Sequence, residues 1–83
     1  MKKYSDSVGL DVSKTYFDAV LFHLGIHRRF VNDGRGFKGF RTWILDQGYR
    51  LEDVLVCFEH TGFYSLRLSI FLHDHGLNVA VRE

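Results

Sequence analysis

A chain of 83 residues, 46% hydrophobic and 25% charged, makes one small globular domain and is too apolar for a disordered segment. Its net charge of +1 gives no strong field toward nucleic acid or a membrane surface, so affinity for a polyanion must come mostly from elsewhere. The single cysteine, Cys57, excludes an internal disulfide, and no run approaches the ~20 apolar residues of a membrane span. No apolar segment follows the two amino-terminal lysines, as a secretory leader would require, so a cytoplasmic setting is expected.

Residues 6–13 read as a strand, with Val8, Leu10 and Val12 alternating with Ser7, Gly9, Asp11 and Ser13. Residues 16–23, rich in aromatic and β-branched types, read as a second strand, and the short "SKT" between makes an antiparallel hairpin. "IHRRFVN" gives a third strand, and "DGRG" at 33–36 reads as loop. From Phe37 the period becomes helical through Phe40, Trp43 and Ile44, with Gly48 as a C-terminal stop. "VLVCFE", 54–59, is a continuous apolar run suited to a central strand. Thr61 is placed to cap a second helix that stops at Gly76, its stripe formed by Tyr64, Leu68, Phe71 and Leu72 and widened by Leu66 and Ile70. "NVAVR" reads as a last strand, which ends abruptly as if cut from a longer protein.

The order β-β-β-α-β-α-β is that of the front of a ribonuclease-H-like α/β fold with a mixed sheet. There the first strand lies beside the fourth and parallel to it, with the fifth beyond. On that arrangement Asp11 and Glu59 fall near the carboxyl ends of adjacent central strands, where open α/β sheets bind ligands. A carboxylate at the end of a buried run costs several kcal/mol unless a partner or cation satisfies it. Two such acids can hold a divalent cation, which takes oxygen ligands from one or two carboxylates and from substrate phosphates. The alternative is that each acid ends its strand facing water or a nearby arginine.

"GLDVSKTYFDAVL" followed by "CFEHTGFYSLRLSIFLHDHGLNVAV" resembles the start of the insertion-sequence transposases related to the Piv DNA invertase, over nearly all 83 residues. Its anchors are the G-x-D-V-S-K stretch and the E-x-T-G-x-Y stretch about 50 residues later, with "FLHDHG" behind. The resemblance implies a RuvC-like domain with a DEDD acidic tetrad. Asp11 would be its first acid and Glu59 its second, both catalytic and both ligands of Mg2+ or Mn2+. The two remaining aspartates, and the serine nucleophile of a further domain, would lie beyond Glu83. This chain alone would then bind the metal weakly and cut nothing. The implied activity of the full-length protein is DNA strand cleavage and exchange for a mobile element. Its implied partners are the element ends and target DNA, and in some members a structured guide RNA. A homo-oligomer is expected, and no membrane partner.

Lys14, in the turn after Asp11, is a candidate phosphate contact, against the alternative of an exposed hairpin lysine. Arg28, Arg29, Arg35 and Lys38, with His27 and Arg41, form the best basic surface for nucleic acid, unless they are the solvated face of an outer strand and helix. Zinc is excluded by spacing, because His73 and His75 stand two apart on a helix and do not share a face. Two other classes stay open. Actin-like sugar kinases also begin with G-x-D on a related fold, but require glycine in the phosphate turn, where this chain has "VSKT". A non-catalytic dimerisation or nucleic-acid-binding module would keep the fold and use its sheet edge or helices.

Overall fold

The computed structural model describes residues 3–58 and 62–81. In chain order the elements are β1 (Asp6–Val12), β2 (Tyr16–Leu21), β3 (Ile26–Val31), α1 (Gly34–Asp46), β4 (Val54–Phe58), α2 (Leu66–Asp74) and β5 (Asn78–Val81), with a single 3-10 turn at Leu51–Asp53 before β4. They form an α/β domain around one five-stranded mixed sheet of order β3-β2-β1-β4-β5. The two hairpin-linked pairs, β1–β2 and β2–β3, are antiparallel, and the helix-linked strands β4 and β5 run parallel to β1. Two- to four-residue connections can only reverse the chain, whereas a helix between strands returns it to the same end of the sheet.

The alternation along each strand sorts the side chains into two faces. Val8 and Leu10 of β1, Phe17, Ala19 and Leu21 of β2, Phe30 of β3, and Val54, Val56 and Phe58 of β4 point into one core. Both helices cover that face. α1 contributes Phe37, Phe40, Trp43 and Ile44, and α2 contributes Leu68 and Leu72. Phe17 sits at the centre, its ring 5.3 Å from Phe30, 6.2 Å from Phe37 and 5.8 Å from Phe40. Phe37 also meets Phe71, 5.5 Å away, which joins the helices over the sheet. The opposite face carries Ser7, Gly9, Asp11, Asp18, Val20, Leu55 and Cys57, half-buried or exposed. We call it the open face.

One buried charge is built into the start of β1. Asp6 is 5% exposed, and its carboxylate accepts from the Ser7 and His23 amides at 2.7 and 2.8 Å and from the Tyr49 hydroxyl at 2.9 Å. Three donors offset its desolvation, and they fasten the β2–β3 turn and the segment after α1 to the central strand. Burial, and then the Asp6 carboxylate, hold the Tyr49 phenol above its usual range.

Both helix starts depart from the sequence expectation, and β2 stops at Leu21, two residues short of it. The "DGRG" stretch is not a loop: α1 begins at Gly34, with Asp33 as its N-cap, whose carboxylate accepts from the Arg35 and Gly36 amides at 2.9 and 3.2 Å. The Gly36 amide bond, then the Arg35 guanidinium, lower the Asp33 carboxyl. Capping of this kind overrides the poor helix propensity of two glycines. The second helix starts at Leu66 with Ser65 in the N-cap position, so Tyr64 is not part of its stripe and is 49% exposed. Leu66 and Ile70 are also more than half exposed, which narrows the buried stripe to Leu68 and Leu72 with Phe71 beside them. Thr61, expected as that helix's cap, lies outside the described residues. No helix among the described residues is long and apolar enough to cross a membrane.

Candidate functional site

Asp11 is the penultimate residue of β1, exposed on the open face at the carboxyl end of the central strand. Its register partner on β2 is Asp18, and Asp18 pairs in turn with Arg29 of β3. A single row across three strands therefore reads Asp, Asp, Arg. Directly opposed like charges destabilise a sheet unless a cation intervenes. Here the cation is Arg29, whose Nε lies 2.9 Å from Asp18 Oδ1 and whose Nη2 lies 3.2 Å from Oδ2. His27 Nε2 approaches the same Oδ1 at 3.3 Å. The guanidinium also lies over Tyr16, its central carbon 3.8 Å from the ring centroid, a favourable cation–π contact.

Asp18 and Asp11 thus differ in kind. The Arg29 hydrogen bond holds the Asp18 carboxyl below its usual range and raises the Arg29 guanidinium in return. Asp11 makes no side-chain hydrogen bond among the described residues and faces solvent. Between them opens a groove of about 450 Å³ lined by Gly9, Asp11, Asp18, Val20, Phe22 and His27. Phe22, 61% exposed, leans over Gly9, where a Cβ would come within 2.9 Å of its Cζ. The missing side chain lets the ring settle on the sheet.

The difference between the two acids is measurable. A carboxyl lowered by folding contributes stability above its unfolded value, near 3.8, and loses it as pH falls through the lower folded value. Asp18→Asn is expected to lower the melting temperature at pH 7 by a few degrees at most, because the pair is partly solvated. That deficit should vanish once acid has protonated Asp18 in the wild type. Thermal melts of both proteins from pH 7 to pH 2 check it. A deficit independent of pH would mean that Asp18 acts through packing and not through charge.

Glu59, the second expected acid, lies outside the described residues. Phe58, which precedes it in the sequence, is the last residue of β4 and pairs with Leu10, the residue before Asp11. Among the described residues no three His, Cys, Asp or Glu side chains form a group that could hold a metal ion. Asp11 alone fits a magnesium-type ion as one of its ligands, since such an ion takes one or two carboxylates and completes its shell with water and phosphate oxygens. Asp18 does not fit that role while Arg29 occupies both its oxygens.

The expected cations are dispersed. Lys14 is exposed in the β1–β2 turn. Arg28 and Arg29, adjacent on a strand, point to opposite faces. Arg28 stands over Phe30 at 5.6 Å on the helix-covered side, and Arg29 is paired on the open face. Arg35 contacts its own N-cap, Asp33, at 3.2 Å, and Lys38 is exposed on α1. Cys57 is half-buried on the open face, register partner of Gly9.

Sequence reasoning missed Asp18, Asp6 and Asn32. Asp18 could have been found, since an antiparallel hairpin closed at "SKT" places it opposite Asp11. Asp6 and Asn32 carry no signal of their own, because their partners come from distant segments. No family model matches this chain, and neither does any curated protein sequence.

Proposed function

We propose that this chain is the amino-terminal part of a RuvC-like, ribonuclease-H-like catalytic domain of a DEDD transposase or recombinase. In the full-length protein it supports magnesium-dependent cleavage and exchange of DNA strands at the ends of a mobile element. The observation that carries the reading is the position of Asp11. It is exposed at the carboxyl end of the central strand, beside a parallel strand whose last residue, Phe58, immediately precedes Glu59. The strand order β3-β2-β1-β4-β5, with helices entering after β3 and β4, supports the ribonuclease-H-like assignment.

Each residue has a defined task in this reading. Asp11 supplies carboxylate oxygens to Mg2+ or Mn2+, and Glu59 supplies the second set. A cation held there withdraws charge from phosphoryl oxygens. Asp18, tied to Arg29, stays out of the ligand set and adds no unscreened negative charge to the approach of a phosphate. Lys14, exposed one turn beyond Asp11, meets the DNA backbone as a point charge. Element and target DNA are the partners, a guide RNA fits the same class, and a homo-oligomer brings two element ends together.

The test is direct. The full-length protein, incubated with DNA flanking its own coding sequence, is expected to release cleaved strands in Mg2+ and none in EDTA. Cleavage indifferent to EDTA would reject the metal reading. Tight ATP binding in a calorimetric titration would transfer the protein to the actin-like class instead.

A further inference from the structure

Asn32 follows the last residue of β3, and its backbone amide continues the ladder to the Thr15 carbonyl at 3.0 Å. Its side chain leaves the ladder. The Nδ2 group donates to the Ser13 carbonyl at 2.8 Å and to the Tyr64 carbonyl at 2.9 Å. A carboxamide nitrogen has two hydrogens, and two carbonyl acceptors use both, which also fixes which end of the amide faces them. Ser13 lies two residues after Asp11, and Tyr64 belongs to the β4–α2 connection on which Glu59 lies in the sequence. One side chain from a third segment therefore ties together the two connections that leave the expected acidic pair.

Among the described residues, each tied segment also closes a local turn of its own. The Ser13 amide and hydroxyl both donate to the Tyr16 carbonyl at 2.9 Å, closing the hairpin on itself. The Ser65 amide and hydroxyl both donate to the Gly62 carbonyl, at 3.3 and 2.9 Å, closing a turn within the β4–α2 connection. Each is a self-contained turn, and the Asn32 carboxamide bonds to both.

Resting on the reading of Asp11 and Glu59 as metal ligands, we infer that Asn32 is a positioning residue. It ties the turn that follows Asp11 to the segment that leads into α2, and so fixes where Asp11 stands for a cation. It touches neither metal nor DNA. Its loss weakens metal binding through geometry and leaves the domain folded.

Two variants test this. Asn32→Asp keeps the shape and removes both donors. Asn32→Ala removes the group. Asn32 is not part of the hydrophobic core, and an aspartate just before the α1 cap is compatible with the helix dipole. Amide hydrogen exchange, read by NMR on the chain, should rise about tenfold or more at Ser65 and Ser13 in both variants. The β1–β4 ladder amides should keep their wild-type rates. Titration with Mn2+, followed by paramagnetic broadening of the Asp11 amide, should need at least threefold more metal in both variants. Uniformly faster exchange would make Asn32 an ordinary stabilising residue and overturn the inference, as would unchanged rates at Ser65. Asp11→Asn run in parallel separates the two layers. Broadening that survives it rejects the metal reading itself, and the metal-positioning role falls with it. The exchange data decide the tie between the connections in either case. An unchanged Mn2+ midpoint in both Asn32 variants, with broadening abolished by Asp11→Asn, keeps the metal reading and overturns the positioning role.

Discussion

On the proposed transposase reading, Asp11→Asn in the full-length protein is expected to reduce magnesium-dependent strand cleavage by on the order of 100- to 1,000-fold, roughly 3–4 kcal/mol of barrier. The melting temperature should stay the same or rise slightly. These two halves come from the same geometry. The Asp11 side chain is exposed and makes no hydrogen bond among the described residues, so the fold loses nothing when its charge is removed. It also stands directly opposite Asp18, whose charge Arg29 already offsets, so neutralising Asp11 relieves only a residual repulsion. An asparagine keeps one weak oxygen donor in the same place but no charge, which a hard divalent cation with a costly dehydration needs. Asp18→Asn should show the inverse pattern, a small pH-dependent loss of stability with little loss of cleavage. A protein in which Asp11→Asn melts well below wild type, or cleaves DNA as fast, would remove Asp11 from the catalytic role. Cleavage assays and thermal melts on the same preparations make the comparison.

The strands were legible because each carries a local signal. The alternation of Val8, Leu10 and Val12 with small and polar residues defines β1, and the apolar run 54–58 defines β4. Their adjacency followed from connection lengths, since short turns reverse the chain and helical crossovers do not. Less legible were helix starts, which depend on contacts as much as composition. "DGRG" has the residues of a loop, yet two glycines belong to α1 because the Asp33 carboxylate supplies acceptors for the first free amides. Tyr64 has a helical spacing to Leu68, but its segment turns before the helix begins, and its carbonyl is taken by Asn32. At the site, Asp11 was readable as a charge where an apolar strand ends. The state of its neighbour was not, because Asp18 looks identical in sequence. What separates the two acids is Arg29, paired with Asp18 and lying over Tyr16, a relation that the β2–β3 register creates.

Gly36→Ala is expected to destabilise the domain by about 3 kcal/mol or more, although helix propensity alone predicts a gain of up to ~1 kcal/mol. Gly36 is buried in the first turn of α1, and a Cβ there would run into the carbonyl oxygen of Val31 and lie 2.7 Å from its carbonyl carbon. Val31 is the last residue of β3, and its backbone cannot rotate away as a side chain would. Relief requires α1 to lift from the sheet. Lifting it opens the contacts of Phe30 with Phe40 and Trp43, whose ring centroids are 5.7 and 5.6 Å apart from it. For a domain this size, whose total stability is on the order of 4–12 kcal/mol, that is a large share, and the urea midpoint should fall by about 1 M or more. Gly34→Ala is the matched control, because nothing lies within 4 Å of the Cβ it would add. Its backbone is less free to disorder when unfolded, so it should be neutral or stabilising by up to ~1 kcal/mol. Two glycines in one helical turn should thus respond with opposite signs. Equal stability of the two variants would mean that α1 does not seat against Val31. The contact reaches the site as well. Asn32 lies between Val31 and the Asp33 cap, so a helix displaced by Gly36→Ala should carry Asn32 away from the Ser13 and Tyr64 carbonyls. Faster amide exchange at Ser65 in Gly36→Ala, at urea concentrations where the domain is still folded, is the expected sign that helix seating and site geometry are coupled.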